Sequence, residues 1–489
     1  MTTTEPTARR DLSTDKSEDA ATTEVVHLDM QAHVARGRAA RAEVPRSSHG
    51  EWSPAPNRVD VVTLLEQQEE PRVPELVPIR HQRMLTSPFA FYRGAAIVMA
   101  ADLAAGPQSG LHVQAVGDAH LANFGGFASP ERRMVFDIND FDETTPGPFE
   151  WDVKRLAASF HIAARSREFS DKVVRQTVLE VVRAYRESMA QFAQMNNLDV
   201  WYARLDVEDV IQKYSSLVTA GDIKRLQRSV SKAQSKDSLK AFDKLTTVVD
   251  GEHRIISDPP LVVPIRDLSG EAGATNDEVM GWLHEGFRVY RHSLQPDRRH
   301  LLEGYRIVDF ARKVVGVGSV GTRCWIALLL GKDDGDPLFL QIKEAEASVL
   351  EPYAGRSAYP NHGQRVVEGQ RLLQAAGDVM LGWLPVAGLD GVERDFYVRQ
   401  LWDSKASALV DVMAAKTLAI YAELCGHTLA RAHARSGDAV AIASYLGTAD
   451  VFDRALASFA EAYADQNERD YDALKTAAAE GRIAVQEGL

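Results

Sequence analysis

A carboxylate, Asp118, stands five residues ahead of a carboxamide, Asn123, in the string Val116-Gly117-Asp118-Ala119-His120-Leu121-Ala122-Asn123-Phe124-Gly125. Groups of these types at this spacing suit phosphoryl transfer, a reaction governed by positioning and charge neutralisation. The carboxylate orients a hydroxyl nucleophile and receives its proton. The amide oxygen is a hard donor suited to Mg²⁺. His120, between them, joins the candidate catalytic set. Gly-Asp and His also occur in metallophosphatase motifs, but no accompanying Asp-x-His or Gly-Asn-His-Asp string lies elsewhere in the chain. The structural alternative is a strand-to-loop turn in which Asp118 and Asn123 cap backbone groups.

Such chemistry needs a second metal carboxylate on a following hairpin. The run 134–143 holds Asp137, Asp140, Asp142 and Glu143, four carboxylates in seven residues. They repel one another unless a cation or basic partner sits among them. Asp140 is the first choice as metal ligand, because Phe136 and Ile138 then alternate inward on the preceding strand. Asp137 and Asp142 are the second choices. Far downstream come Gly316, Gly318, Ser319 and Gly321, then Gln341-Ile342-Lys343. Glycines in a hairpin let the backbone close over phosphates, and a lysine on a later strand reaches them. Glu368 is the expected partner of Lys343. Gln400 and Trp402, at the end of the run 396–402, are expected to present backbone groups to a nucleobase edge. A dinucleotide-binding unit competes for the same glycines, with Glu344 as its ribose acid and an NAD(P)-dependent oxidoreductase as its outcome. It leaves Asp118, Asn123, Asp140 and Lys343 unexplained.

The elements that would position these groups are a helical first half, a sheet-rich insert and a helical tail. Residues 90–103 have one apolar face at helical spacing, 112–116 read as a strand, and 134–139 as the second strand of a hairpin. Residues 151–230 are helical in period, 259–264 extended, and 324–330 and 338–343 are strands around a turn at 332–336. The helix 417–433 carries a stripe of Leu418, Tyr421, Cys425 and Leu429. The domains expected are a partly disordered arm at 1–55, a helical lobe at 56–300, a nucleotide-binding sheet lobe at 301–405, and helices at 406–489 returning to the helical lobe. The chain has 489 residues, 45% of them apolar and 26% charged, as in soluble globular proteins. A net charge of −13 provides no general attraction to nucleic acid or to an anionic membrane. Two cysteines make no disulfide framework or four-cysteine zinc site, and the polar N-terminus has no apolar leader, so a cytoplasmic setting is expected.

The loop 117–123 resembles the Gly-Asp-x-His-x-x-Asn form of aminoglycoside- and choline-type kinases, with Val116 where those enzymes usually have a histidine. Asp140-Phe141-Asp142 resembles the Asp-Phe-Gly metal loop. Phe149-Glu150-Trp151-Asp152 resembles the segment after it, whose aspartate braces the catalytic loop; that role falls to Asp152. The order is inverted, since glycines and lysine follow the catalytic loop by about two hundred residues. A circular permutation reconciles it, with the helix ending at His433 lying beside the loop it normally runs into. The strings 87–94, 117–125, 139–143 and 316–321 together resemble a bacterial family of unknown function over about residues 40–470. That family carries little functional knowledge; the resemblance of the motifs to kinases implies an α+β, protein-kinase-like two-lobe fold in permuted order, with a small antiparallel-sheet lobe and a larger helical lobe. It implies ATP and Mg²⁺ as cofactors and an unknown hydroxyl-bearing acceptor. AMP transfer and a scaffold without turnover are variants of the same fold. Arg93, in the 87–94 turn, stands as a possible phosphate or substrate contact, with His81 and Arg83 behind it.

Overall fold

The computed structural model describes residues 27–486 apart from 218–220, 222–223, 225–227, 229–230, 232–237, 269–275, 388–390, 402–405 and 409. The chain is α+β, richer in helix than in strand, with its strands in antiparallel sheets. At its centre runs the helix Phe149–Arg165, sixteen of whose seventeen residues are buried. A helix covered on every side belongs inside a core. The helices Asp171–Phe192, Ala415–Ser436 and Val451–Ala479 surround it. The same central helix buries Glu150, Asp152, Lys154 and Arg155. Charges taken out of water need partners, and three of the four find theirs in the loops that end on this helix.

Those loops hang from two short strand pairs. β1 (His112–Ala115) pairs with β4 (Thr145–Pro148), and β2 (Phe124–Ala128) with β3 (Met134–Ile138). A two-residue β5 (Leu205–Asp206) extends β3. β6 (Thr246–Val249) and β7 (Glu252–Ile255) form a separate hairpin. The largest sheet has six strands in the order β12-β13-β11-β10-β9-β8. These are β8 (Val262–Pro264), β9 (Arg306–Lys313), β10 (Cys324–Leu330), β11 (Pro337–Ala345), β12 (Gly382–Ala387) and β13 (Glu393–Gln400). The helix His362–Leu373 is inserted between β11 and β12. A short β14 (Ala406–Ser407) returns to β2.

The unbroken apolar run of β10 has a direct cause. Ile326, Leu328 and Leu330 pack with Phe242 and Ile255 on one face of the sheet. Ala327 and Leu329 pack with Tyr290 and Phe396 on the other. With both faces covered, no polar residue alternates in.

Three expectations are revised. The arm is not shapeless up to residue 55: Met30–Glu43 is a helix, capped by Asp29, that packs on Ala439–Leu446. Its contact runs through small residues, Gly37 and Ala40, and a Cβ on Gly37 would fall 2.0 Å from the Ala441 carbonyl oxygen. Hydrophobic periodicity cannot register a contact made by glycine and alanine. Residues 90–103 form two helices, Pro88–Gly94 and Ala96–Ala104, broken at Ala95. The buried Arg80 guanidinium takes the Gly94 carbonyl at 2.8 Å, removing it as a helix acceptor. The sheet-rich part also begins well before residue 301, because β8 joins the large sheet and the helix Asn276–Ser293 packs on β12.

Candidate active site

The loop 116–123 leaves β1 through Gly117, at φ +84°, where a Cβ would lie 2.3 Å from the Glu143 carbonyl oxygen. No other residue fits there. Asp152 fastens the loop from below: its carboxylate accepts from Val116 N at 2.6 Å and from Gly117 N at 3.0 Å. His433 Nε2 donates to the same carboxylate at 3.0 Å, and Tyr185 donates to His433 Nδ1 at 2.8 Å. Tyr421, on the same Ala415–Ser436 helix, donates to the carbonyls of Leu121 at 2.6 Å and Phe124 at 3.0 Å. A helix some three hundred residues downstream thus packs directly on the loop.

Asp118 receives the buried Arg155 guanidinium on Oδ1, at 2.6 and 2.7 Å, and its side chain remains 22% exposed to the cleft. Burial opposes charge on Arg155, but Asp118 holds it firmly protonated. Asn123 donates its amide to the Asp118 carbonyl at 2.8 Å, which leaves its oxygen as an acceptor for a cation. His120 is 3% exposed, and its Nε2 lies 3.7 Å from Asp118 Oδ2. Burial pushes its imidazole down to about 3, so it is neutral at physiological pH and adds no positive charge to the cleft.

The loop 139–144 is tied to the first, since Asn139 N donates to the Asn123 carbonyl at 2.8 Å. Asp140 and Asp142 line the same cleft as Asp118 and Asn123. Asp142 is fully engaged: Lys343 ion-pairs with Oδ2, Tyr397 donates to Oδ1 at 2.6 Å, and Ser319 donates to Oδ2 at 3.2 Å. Asp137, held in reserve as a metal ligand, lies elsewhere. It is 1% exposed, pairs with the buried Arg431 at 2.5 Å and accepts from Ala375 N at 2.9 Å. Its position on β3 turns it to the back of the hairpin.

Glu368 does not meet Lys343; it pairs with Arg371 one turn along its own helix at 2.9 Å. That helix presents Arg365 instead, buried and donating to the carbonyls of Asp142 at 2.8 Å, Thr144 at 2.6 Å and Glu346 at 2.7 Å. The partner of Lys343 is Asp142. Lys343 is 2% exposed, and although burial works against its charge, Asp140 and Asp142 raise it well above the ordinary lysine value. Beside it on β13, Tyr397 and Arg399 point the same way; Arg399 donates to Gln341 Oε1 at 2.9 Å and to the Asn139 carbonyl at 3.3 Å.

Gly316, Gly318 and Ser319 line the cleft within the connection between the antiparallel strands β9 and β10, and Gly321 ends it at φ +95°. No helix follows these glycines, as a dinucleotide-binding turn would need. Glu344 pairs with Arg323 and Arg394. The glycine turn is pinned from outside by the N-terminal elements. Arg72 donates to the carbonyls of Gly318 at 2.7 Å and of Val320, and Arg83 to that of Gly316 at 2.5 Å. Val73 N donates to the Gly321 carbonyl at 2.8 Å. His81 is not at the cleft; it hydrogen-bonds Glu69 and the Ala484 carbonyl.

The cleft between turn and loops has a cavity volume of about 150 Å³ and opens to solvent. Past Asn139, a smaller recess is lined by Phe127, Gln374, Asp378, Arg399 and Gln400. Gln400 N is already bound to Asp378 at 2.6 Å and Leu401 N to the Phe339 carbonyl at 3.0 Å, so neither N–H is open to a base edge. Trp402 lies outside the described residues. Among the described residues no group of three or more His, Cys, Asp or Glu side chains is arranged to hold a metal, and no helix is long and apolar enough to cross a membrane.

Several side chains of this site escape the sequence reading. Tyr397 and Arg399 had a signal, two polar positions alternating with Phe396 and Val398 along a strand. Arg155, Arg365 and Arg72 had none, because only the folded chain brings them to their acceptors.

The chain belongs to the family described as an uncharacterized protein conserved in bacteria (DUF2252), whose model matches residues 72–477. The matched span includes every cleft residue named above. No curated protein and no solved structure matches the chain.

Proposed function

We propose that the chain is an ATP- and Mg²⁺-dependent phosphotransferase acting on a hydroxyl acceptor, with a protein-kinase-like two-lobe site assembled in circularly permuted order. One observation carries this reading. Lys343 and Asp142, 201 positions apart in sequence, form an ion pair at the wall of the cleft that Asp118, Asn123, Asp140 and the glycine turn also line. The sheet layout is the second support: glycine turn, lysine strand, inserted helix and two returning strands lie in one sheet order, as a phosphate-covering flap with sheet behind it requires.

Within this reading Asp118, with one oxygen held by Arg155, orients the acceptor hydroxyl and takes its proton. Lys343 sets Asp142 and the phosphates in register, and the glycine turn covers them. The Asn123 amide oxygen and the Asp140 carboxylate fit a Mg²⁺ ion, which binds through one or two protein oxygens plus substrate phosphates and water and needs no closed protein cage. When bound, Mg²⁺ supplies neutralisation of charge on the phosphate oxygens. Asp142 keeps its lysine and is not a metal ligand. The recess past Asn139 would take the base, read by side-chain amides, since the main-chain N–H groups at 400 and 401 are already used. Transfer of AMP instead of phosphate would use the same groups, and product mass separates the two.

The test is a melting curve with ATP and Mg²⁺ together and with each alone. At a hundred times its dissociation constant the ligand adds roughly 2.7 kcal/mol. In the presence of an acceptor, Asp118→Asn is expected to lower turnover by about 10²–10⁴ with ATP affinity nearly intact. No shift with any nucleoside triphosphate sinks the proposal.

A further inference from the structure

We infer that Arg93 is a catalytic cation for the transferred phosphoryl group, supplied from within the chain by the last turn of the helix Pro88–Gly94; this rests on the phosphotransferase reading. Among the described residues that line the cleft, two are arginines. Arg72 is committed to the carbonyl oxygens of the glycine turn. Arg93 is not committed: its Nε is buried without a hydrogen-bond partner, and no ion pair within the described residues takes its guanidinium. His120 on the cleft wall is held neutral, and Lys343 is already paired with Asp142.

Position narrows what this spare guanidinium serves. Arg93 lines the same cleft as Asp118 and Asp140, and their charges, with that of Asp411, act on it. In the proposed reaction Asp118 holds the nucleophile and Asp140 the metal-bound phosphate, so the group in transit lies between them. Its backbone carbonyl sits beneath the tip of the glycine turn, where a Cβ on Gly318 would approach it to 3.1 Å. A guanidinium below the flap and beside both carboxylates meets the equatorial oxygens of the γ-phosphoryl group, where charge spreads in the transition state. The acceptor oxygen bonds to the γ-phosphorus as the bond to the ADP oxygen breaks, and the hydroxyl proton goes to Asp118. The planar fork suits two phosphoryl oxygens at once, which a lysine cannot match. Because no hydrogen bond among the described residues holds this guanidinium, its removal should leave folding intact.

The experiment measures dissociation constants for Mg·ADP, with and without aluminium fluoride as a planar mimic of the phosphoryl group, for the native chain, Arg93→Ala and Arg93→Lys. Melting curves without ligand check the fold. The expected result is that R93A binds Mg·ADP within about twofold of native but loses roughly 10²-fold of the added affinity for the fluoride complex. R93K should recover only part of it. If R93A binds both complexes as the native chain does, or loses affinity for both equally, the role assigned to Arg93 is wrong. A native chain that binds neither complex overturns the phosphotransferase reading itself, and Arg93 with it.

Discussion

Replacing Asp152 with alanine should unfasten the catalytic loop at a cost that can be worked from its partners. The carboxylate accepts from two main-chain donors, Val116 N and Gly117 N, and from His433 Nε2, all of them buried. Each buried donor left without an acceptor costs about 1–3 kcal/mol. Three donors would add up to more than the loop will tolerate unmoved, so partial relaxation sets the expected loss at roughly 3–6 kcal/mol. That is a large share of the ~5–15 kcal/mol that holds a typical domain together. Asp152→Asn should cost less, because its oxygen keeps one donor while its amide faces another. Urea unfolding followed by tryptophan fluorescence and circular dichroism gives the number, provided the two transitions coincide. Amide exchange at Val116 and Gly117 should accelerate in parallel, which places the damage in the loop. A D152A variant within 1 kcal/mol of native, with unchanged exchange at those amides, would refute the claim that this helix holds the site together.

Two further outcomes follow from the ion pairs and the buried imidazoles. Glu368→Ala should change stability by less than about 1 kcal/mol, since its pair with Arg371 is partly exposed, and should leave Mg·ATP affinity untouched, whereas Lys343→Met should weaken that affinity by about 10–100-fold; equal effects in titration calorimetry would restore Glu368 as the lysine's partner. His49, buried against Tyr445 at 2.7 Å, has its imidazole pushed down to about 3 by burial. Its neutral form stabilises the native state fully above pH 6.5, and that contribution drains as the pH falls toward 3, by about 2 kcal/mol at pH 5. His49→Gln should therefore flatten the acid limb of a stability–pH curve by close to one proton, and an unchanged slope would show that His49 is already charged in the folded chain.

The site was legible where local chemistry determines it. Asp118, Asn123, Asp140, the glycines and Lys343 stood out because hard-oxygen donors, permissive backbone and a strand lysine each leave a mark over a few residues. The strands at 324–330 and 338–343 and the helix ending near His433 were equally plain, since burial imposes a period on the chain. The misassigned partners share one cause. Glu368 was chosen as a glutamate on a helix, and Asp137 was kept as a second choice within a run of carboxylates, but an ion pair is decided by which charges meet when helices and sheets pack. Lys343 met Asp142, and Asp137 met Arg431 from the opposite side of the hairpin. The helix Met30–Glu43 and the break at Ala95 were likewise invisible, being set by glycine contacts and by one arginine reaching a carbonyl.

The sequence by itself determined the types of groups at the cleft and their order along the chain, because donor chemistry and backbone freedom are properties of single residues and short strings. Only the tertiary structure decided that Arg155 would hold Asp118, that Arg72 would pin the glycine turn and that the Arg93 Nε would be buried with no hydrogen-bond partner among the described residues. Long arginines reach acceptors tens or hundreds of residues away, and in a low-dielectric interior a charge that finds one is far less costly than a charge that does not.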